Sequence, residues 1–171
     1  MPFEIICGDI TQVKADAIVN AANSALAPGG GVCGAIFRAA GFRELERACR
    51  AIGHCDTGQA VLTDGFALPA RYIIHTVGPV WRGGGQNEEL LLKSCYSSSL
   101  RLAADNGCQS IAFPLISSGI FGYPKKGAVE VAVNAIRTFL REREMRVFLA
   151  AYDQETALLG AEILKDNHFP V

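Results

Sequence analysis

Two glycine-rich segments, at residues 29–34 and 117–122, carry the pattern best suited to binding a ligand. The first has the spacing G-x-G-x-x-G before a helical pattern, and the second joins an apolar run to another helical pattern. Glycines let backbone N–H groups come close to a ligand, and the N-terminus of a helix favours an anion. We therefore expect two groups of N–H donors facing one crevice, where they would bind an extended diphosphate and a sugar.

Polar side chains also follow the predicted strands, at the sheet edge where ligands of open α/β sheets bind. The carboxylate of Asp9 can accept a hydrogen bond from an amine such as that of adenine, or it can cap a turn. The carboxamide of Asn23 can hold a sugar hydroxyl or a water, although Asn is also a common turn residue. Tyr152 ends the last predicted strand, where its ring can stack on a base or pack in the core.

Other residues with reactive side chains favour structural roles. His75 lies inside an apolar strand pattern and is expected to be a hydrogen-bonded core histidine, while Trp81 is expected to pack a loop. The six cysteines are scattered without a Cys-x-x-Cys pair, and the single close His/Cys pair is His54-Cys55, so the sequence argues against a zinc site. No Ser/His/Asp set has an identifiable nucleophile elbow.

The composition indicates a globular chain with no general attraction for polyanions. Of the 171 residues 50% are hydrophobic, and 16 Lys and Arg against 17 Asp and Glu give a net charge of −1. Such a chain has no positive field for duplex DNA or an anionic membrane. It contains no apolar stretch of about 18 residues, and its N-terminus lacks the pattern of a secretory signal. We therefore expect one domain over residues 1–171, in the cytoplasm, with reduced cysteines.

Short apolar runs alternate with longer amphipathic patterns along the chain, which predicts an α/β fold. Strands are predicted over 3–7, 17–20, 60–63, 72–77, 110–115 and 146–152, and helices over 34–52 with a break at Gly41, 88–106, from Pro124 onward, and 155–166. The short turn near Gly65 joins two strands without a helix, which favours an antiparallel pair. The expected architecture is a three-layer α/β/α sandwich with a mixed, mostly parallel central sheet.

The G-x-G-x-x-G spacing also occurs in dinucleotide-binding Rossmann folds, but its surroundings here argue against one. Residues 24–28 intervene after Asn23, where that fold needs a tight turn between strand and helix. No strand pattern begins near Asp56, where an acidic residue about 20 residues on would bind a ribose. A dehydrogenase that uses NAD is therefore disfavoured.

Taken in order, the motifs of this chain resemble those of the macrodomain family, in its MacroD-type branch. They are Gly8-Asp9-Ile10-Thr11, Ile18-Val19-Asn20-Ala21-Ala22-Asn23, Gly29-Gly30-Gly31-Val32, Ala39-Ala40-Gly41, Ile74-His75-Thr76-Val77-Gly78-Pro79, Ala112-Phe113-Pro114, Ile116-Ser117-Ser118-Gly119 and Phe121-Gly122-Tyr123-Pro124. The resemblance covers nearly the whole chain and implies a three-layer α/β/α fold that binds ADP-ribose in a cleft. The family includes hydrolases that remove ADP-ribose from acidic side chains and deacetylate O-acetyl-ADP-ribose, and members that only bind the nucleotide.

The resemblance also implies a role for each motif. Asp9 would hold the adenine amine and Tyr152 would flank the base, while Asn23 would bind the distal ribose. The first glycine-rich loop would wrap that ribose and its phosphate, and the second would cradle the diphosphate, with Phe121 over the ribose face. The implied ligand-binding residues are Asp9, Ile10, Ala22, Gly30, Gly31, Val32, Gly34, Ser117, Ser118, Gly119, Ile120, Phe121, Gly122 and Tyr152.

The sequence departs from the hydrolytic branch at Cys33 and Phe37, where that branch commonly has Asp and His. The resemblance implies that Asn23 and Cys33 occupy the catalytic positions. The thiol of Cys33 cannot do the work of a carboxylate there. A reactive thiol would need a lowered pKa, which the negative charge of a nearby diphosphate opposes. Water would instead be activated by the substrate's own phosphate, with Asn23 and loop N–H groups holding the geometry, and without a metal or other cofactor.

Two functions remain open from the sequence. A hydrolase would cleave ADP-ribosyl esters, both mono-ADP-ribosylated acidic side chains and O-acetyl-ADP-ribose, by water attack near the distal ribose. A non-catalytic reader would bind ADP-ribose through the same N–H groups, and Cys33 motivates this alternative. Both imply ADP-ribose, an ADP-ribosylated protein or O-acetyl-ADP-ribose as partner, with no duplex nucleic acid and no membrane. We expect a monomer.

Overall fold

Strands and helices alternate through the computed structural model, which describes residues 2–166. The strands are β1 (Phe3–Cys7), β2 (Ala17–Ala21), β3 (Ala60–Asp64), β4 (Tyr72–Thr76), β5 (Ser110–Pro114) and β6 (Arg146–Ala151). The helices are α1 (Gly31–Ala40), α2 (Phe42–Ile52), α3 (Glu88–Asp105), α4 (Lys125–Leu140) and α5 (Gln154–Asp166), and Ile10–Gln12 forms one 3-10 turn. Residues 1 and 167–171 of the predicted domain lie outside the described residues.

The strands form one mixed sheet in the order β1-β6-β5-β2-β4-β3. Every neighbouring pair is parallel except β3 with β4. A short turn connects the two antiparallel strands, and in this turn the N–H of Gly65 donates to the carbonyl of Arg71 (2.9 Å). Parallel neighbours need a long crossover instead, usually a helix. The predicted mixed, mostly parallel sheet is therefore confirmed, including its antiparallel pair.

Alternate residues of the central strands face two different hydrophobic cores. Val19, Ile74 and Phe113 contribute to the core on the side of α3, α4 and α5. Ile18 and Ile73 contribute to the core on the side of α1 and α2. All of these side chains are fully buried. Strands covered by helices on both faces are continuously apolar, which is why the sequence predicted the three-layer arrangement correctly.

Glycines determine where the first two helices begin and end. Gly41 separates α1 from α2 with φ 110°, and a Cβ there would lie 2.7 Å from the Glu44 carboxylate. The predicted break is therefore confirmed. Helix α1 begins before the predicted position 34, because Gly30 is extended and Gly31 adopts φ 56°, a left-handed conformation that glycine tolerates. The start of α1 thus reaches the sheet edge where the strands end.

None of the helices within residues 2–166 combines the length with the apolar character that crossing a membrane requires.

Candidate active site

The carboxyl ends of the parallel strands lie along one edge of the sheet, where the following loops contact one another. The N–H of Gly8, after β1, donates to the carbonyl of Ala151 at the end of β6 (3.1 Å). The N–H of Trp81, after β4, donates to the carbonyl of Phe121, after β5 (2.7 Å). The loops that the sequence singled out therefore lie at the same edge, where open α/β sheets bind ligands.

The loop between β2 and α1 is closed by the side chain of Asn23. Its Nδ2 donates to the carbonyl of Ala27 (2.8 Å), and its Oδ1 accepts the N–H of the same residue (3.0 Å). A Cβ on Gly29 would lie 3.9 Å from Nδ2 of Asn23 and 3.7 Å from Sγ of Cys33. The structure thus brings the two predicted catalytic residues together around Gly29, and Asn23 also forms the turn that its residue type suggested.

Cys33 lies in the first turn of α1 with its side chain buried. Its Sγ accepts a hydrogen bond from Nδ2 of Asn20 (3.7 Å) and donates to the carbonyl of Ala27 (3.9 Å). Burial raises the pKa of this thiol, and hydrogen bonds from Asn20 and Gly29 oppose the rise only in part. A thiol with a raised pKa is mainly protonated at neutral pH, which is its less nucleophilic form.

His75 is a hydrogen-bonded core histidine, as predicted. Its Nδ1 lies 3.0 Å from Nδ2 of Asn20, and its Nε2 lies 2.9 Å from Oγ1 of Thr63. Burial lowers the pKa of His75 to about 4, so the ring is neutral at pH 7. Thr63 donates its hydroxyl to the carbonyl of Asp64 (3.2 Å). The tautomer with hydrogen on Nε2 fits these contacts, because Nδ1 then accepts from Asn20 and Nε2 donates to Thr63.

The first turn of α1 presents backbone N–H groups at the sheet edge. Gly30 precedes the helix in an extended conformation, and no side chain caps the N-terminus. Gly30 and Gly31 are exposed and Val32 is half-buried, so these N–H groups can bind an anion or a sugar oxygen. Gly34 differs, since it is buried and a Cβ there would lie 2.6 Å from the carbonyl oxygen of Gly29. Its absent side chain lets α1 pack against the loop.

The loop between β5 and α4 begins at Ser117, which has the left-handed φ of 68°. The carbonyl of Ser117 accepts the N–H of Tyr123 (2.9 Å). Its buried Oγ has no hydrogen-bond partner among the described residues, and a side chain on Gly78 would collide with it. Ser118 donates its hydroxyl to the carbonyl of Leu115 (3.1 Å). These contacts hold the base of the loop in one conformation.

The tip of the same loop projects toward solvent. The N–H of Gly122 donates to the carbonyl of Gly119 (3.0 Å), closing a turn in which Gly122 has φ 75°. Ile120 is 94% exposed, while Phe121 is half-buried. The loop therefore combines a fixed base with an open tip of backbone donors.

Asp9 and Tyr152 follow β1 and β6, which are adjacent in the sheet. Oδ1 of Asp9 accepts the N–H (2.9 Å) and the hydroxyl (2.7 Å) of Thr11, so Asp9 does cap a turn. Both of these contacts use Oδ1, and the residue is exposed. Tyr152 is 90% exposed, which excludes the core-packing alternative. Beside it, Asp153 pairs with Lys125 at the start of α4 (3.7 Å).

Four of the predicted ligand-binding residues are buried: Gly34 and Ser117, described above, and Ile10 and Ala22. Ile10 and Ala22 are each 5% exposed and belong to the core beneath α1 and α2. The N–H of Ala22 donates to the carbonyl of Thr76 (2.9 Å). Both side chains are therefore part of the core, and a direct contact of either with a ligand stays a prediction.

Glu88, the first residue of α3, is 1% exposed and lies outside all the sequence motifs named above. Burial raises the pKa of its carboxyl, but hydrogen bonds from the backbone N–H groups of Arg82, Gly84 and Gln86 outweigh that effect and lower the pKa to about 2. An acidic residue at a helix start after three consecutive glycines, residues 83–85, was the available signal. Trp81 packs this loop, as predicted, with its ring 4.7 Å from that of Tyr123.

Within the part of the chain that the structure describes, no group of three or more His, Cys, Asp or Glu side chains is placed to hold a metal ion. The chemistry present at the sheet edge is mainly that of backbone N–H donors, small residues and neutral polar side chains, with the carboxylate of Asp9 and the Asp153–Lys125 pair beside β1 and β6. Such a set suits a ligand that brings its own negative charge.

Comparison with known proteins identifies the family. The Macro domain model matches residues 19–132. The chain is 55% identical over 159 residues to a macro domain-containing protein of Mesorhizobium japonicum, covering 92% of this chain and 90% of that protein. It is 52% identical over 168 residues to the O-acetyl-ADP-ribose deacetylase of Citrobacter rodentium, covering 95% and 94%. The chain therefore belongs to the macro domain family.

Solved structures of the family have the same fold. The Oceanobacillus iheyensis macrodomain with ADP has a TM-score of 0.91 and 40% identity, covering 95% of this chain and 90% of that one. The Trypanosoma brucei macrodomain in complex with ADP-ribose has a TM-score of 0.86 and 40% identity, covering 94% of this chain and 68% of that one. The macrodomain-like α/β/α fold expected from the sequence is confirmed.

Proposed function

We propose that this chain binds ADP-ribose at the sheet edge described above and hydrolyses ADP-ribosyl esters there. The observation that carries the proposal is that two glycine-rich loops, at residues 29–34 and 117–122, follow the neighbouring parallel strands β2 and β5 at one edge of a macro domain. The relative from Citrobacter rodentium is named O-acetyl-ADP-ribose deacetylase, and the Trypanosoma brucei macrodomain was solved with ADP-ribose. Both names support the proposal.

In this proposal the ligand lies along the sheet edge from β1 toward α1. Asp9 accepts the adenine amine through Oδ2, since its contacts with Thr11 use Oδ1. The exposed ring of Tyr152 flanks the base. The loop at residues 117–122 binds the diphosphate through backbone N–H groups other than that of Gly122, which donates to the carbonyl of Gly119. The first turn of α1 binds the distal ribose and its phosphate. The near-neutral chain holds this anion by local donors rather than by a general positive charge.

Hydrolysis follows from holding an ester and a water in this geometry. The water oxygen attacks the ester carbonyl carbon, and the bond between that carbon and the ribose oxygen breaks. The proton of the water goes to the ribose oxygen by way of the substrate's phosphate, and the acyl group leaves as a carboxylic acid. Asn23 and the loop N–H groups position the reactants, an effect that can lower the barrier substantially. Cys33, protonated and buried, acts as a spacer.

A reader that binds ADP-ribose without turnover is the second candidate, and the state of Cys33 favours it. The family's hydrolytic branch resembled by this sequence commonly places a carboxylate there, and a protonated thiol cannot replace a general base. The backbone N–H groups bind the nucleotide equally well in either case. The two candidates therefore differ in turnover and agree in affinity.

The proposal also includes a compartment, an oligomeric state and a partner. The six cysteines are free thiols, which suits a reducing compartment such as the cytoplasm. The candidate site is assembled from loops of one chain, which suits a monomer. Protein-linked ADP-ribose on acidic side chains is the proposed macromolecular partner, because its ester has the same chemistry as O-acetyl-ADP-ribose.

The test is incubation of the pure protein with O-acetyl-ADP-ribose and, separately, with a protein mono-ADP-ribosylated on Glu or Asp. Release of acetate and of ADP-ribose above the buffer rate supports the hydrolase. Binding of both substrates without release in either reaction makes the chain a reader. Failure to bind either substrate contradicts both candidates.

A further inference from the structure

The carboxylate of Glu88 organises the loop that connects β4 to α3. It accepts the N–H groups of Arg82 (2.8 Å), Gly84 (2.9 Å) and Gln86 (2.5 Å), although Glu88 itself belongs to the helix. All three donors precede the helix. The N-cap residue Asn87 has φ 60° and no side-chain cap. Glu88 therefore holds the upstream loop instead of capping its own helix.

This organised loop packs against Trp81, and Trp81 in turn holds the loop between β5 and α4. A Cβ on Gly84 would lie 3.0 Å from the Trp81 ring. The N–H of Trp81 donates to the carbonyl of Phe121 (2.7 Å), and its ring lies 4.7 Å from that of Tyr123 at an interplanar angle of 57°. A continuous set of contacts thus runs from the buried carboxylate to residues 117–123.

We infer that Glu88 is a positioning residue for the ligand: through Trp81 it fixes the conformation of the loop at residues 117–123 that binds the diphosphate. This inference rests on the proposed function, because the diphosphate role of that loop is part of it. The side-chain oxygens of Glu88 accept the N–H groups of Arg82, Gly84 and Gln86, so the inference assigns Glu88 no contact with the ligand. Preorganised donors bind more tightly because less order is lost on binding.

The chain offers a matched control at the opposite end of the sheet. Asp16 is also a carboxylate that accepts the N–H of a loop residue, Gln109 (2.7 Å), but it lies before β2, at the end of the sheet remote from the site. Replacing Asp16 by Asn removes the charge from one such loop contact without affecting the loops at the carboxyl ends. Any general effect of losing such a carboxylate will appear in Asp16→Asn as well.

The experiment compares wild type, Glu88→Gln, Glu88→Asp and Asp16→Asn. Calorimetry gives Kd for ADP-ribose and for AMP, which lacks the second phosphate and the distal ribose. Emission and acrylamide quenching report on Trp81, the single tryptophan of the chain. We expect Glu88→Gln to weaken ADP-ribose binding at least 10-fold and AMP binding less than 3-fold, with increased quenching of Trp81. Glu88→Asp keeps the charge on a shorter side chain, so its affinity for ADP-ribose should lie between those of wild type and Glu88→Gln. Asp16→Asn should bind ADP-ribose as tightly as wild type.

A second variant tests the same contacts with Glu88 intact and serves if Glu88→Gln fails to fold. Gly84→Ala places a methyl group against the Trp81 ring at a residue with φ 91°, and it should reproduce the selective loss of ADP-ribose affinity and the change in Trp81 quenching. Unchanged ADP-ribose affinity in both variants would overturn the inference. Equal losses for AMP and ADP-ribose, matched by Asp16→Asn, would also overturn it. Wild type that binds no ADP-ribose would refute the proposed function itself, a distinguishable result.

Discussion

Asn20 and His75 occupy the same register position on the neighbouring strands β2 and β4, and Nδ2 of Asn20 lies 3.0 Å from Nδ1 of His75. Both residues are fully buried, at 1% and 0% exposure. The same Nδ2 donates to Sγ of Cys33 (3.7 Å). A neutral polar cluster therefore connects the core beneath α1 to the first turn of that helix, and its contacts require His75 to be neutral.

The pH dependence of stability follows from His75. Burial lowers its pKa to about 4 in the folded protein from its ordinary value of 6.5. Between these values the unfolded chain binds more protons, so this contribution is fully present above about pH 6.5 and is lost as the pH falls toward 4. We predict that this residue lowers the free energy of unfolding by about 2 kcal/mol between pH 7 and pH 5. Urea unfolding at the two pH values measures the change.

The control for this prediction is a pair of histidine variants. His75→Gln removes the titrating group and should abolish most of the difference between the two pH values, although it also lowers stability overall. His54→Gln changes an exposed histidine paired with Asp56 (2.7 Å) and should retain the pH dependence. The same pH dependence in wild type and His75→Gln would show that another group is responsible.

Two substitutions at Cys33 distinguish a site that lacks its general base from a thiol that has only a structural role. Cys33→Asp places a carboxylate beside Asn20 and Gly29, where it can hold water, and should raise ester hydrolysis about 10-fold or more. Its burial should destabilise the fold by about 1–3 kcal/mol, and the added charge should modestly weaken nucleotide binding. Cys33→Ala should leave turnover nearly unchanged, because the protonated thiol is proposed to be a spacer. Turnover rates on O-acetyl-ADP-ribose test both variants, and loss of turnover in Cys33→Ala would mean that the thiol takes part in the chemistry.

Asn23 combines a loop contact with a proposed catalytic role. Asn23→Ala removes both hydrogen bonds to Ala27 and should lower the free energy of unfolding by about 1–2 kcal/mol. We also predict at least a 10-fold loss of turnover, since the side chain is proposed to position the reactants. Asn23→Asp keeps an acceptor for the Ala27 N–H, but it replaces the Nδ2 donor by an oxygen that faces the Ala27 carbonyl. One of the two hydrogen bonds to Ala27 is therefore lost. A drop in stability in either variant without any change in turnover would restrict Asn23 to the loop.

Asp9 provides a test of adenine recognition. Asp9→Ala should weaken ADP-ribose binding by about 1.5–3 kcal/mol, as for a hydrogen bond to a charged group, and lose about 1 kcal/mol of stability with the cap on Thr11. Asp9→Asn retains an oxygen for the cap but presents an amide donor to the adenine amine, so it should lose affinity while keeping stability. Calorimetry and thermal unfolding measure the two effects. Affinity within twofold of wild type in both variants would make Asp9 a cap alone.

Local patterns were sufficient to predict most of the fold. Apolar runs located the strands, the short turn at Gly65 identified the antiparallel pair, and Gly41 marked the break between α1 and α2. These features depend on residues close together in the sequence. The convergence of the loops also followed, because parallel strands end at the same edge.

Contacts between distant residues account for what the sequence did not reveal. The burial of Cys33 and its bond from Asn20 depend on how α1 packs on β2. The glycine spacing does not distinguish Gly34, which packs against the carbonyl of Gly29, from glycines that are exposed to a ligand. Glu88 gains its role only from a loop conformation that directs three N–H groups at one carboxylate.

Calorimetric titration of the wild-type protein with ADP-ribose tests the central claim most directly. The two loops of N–H donors at one sheet edge predict a single site, with a Kd below millimolar and with AMP binding more weakly. The AMP comparison matters because only ADP-ribose carries the second phosphate and the distal ribose that the loops are proposed to hold. No saturable binding of ADP-ribose up to millimolar concentration, or equal affinity for AMP, would contradict the assignment of this edge as an ADP-ribose site.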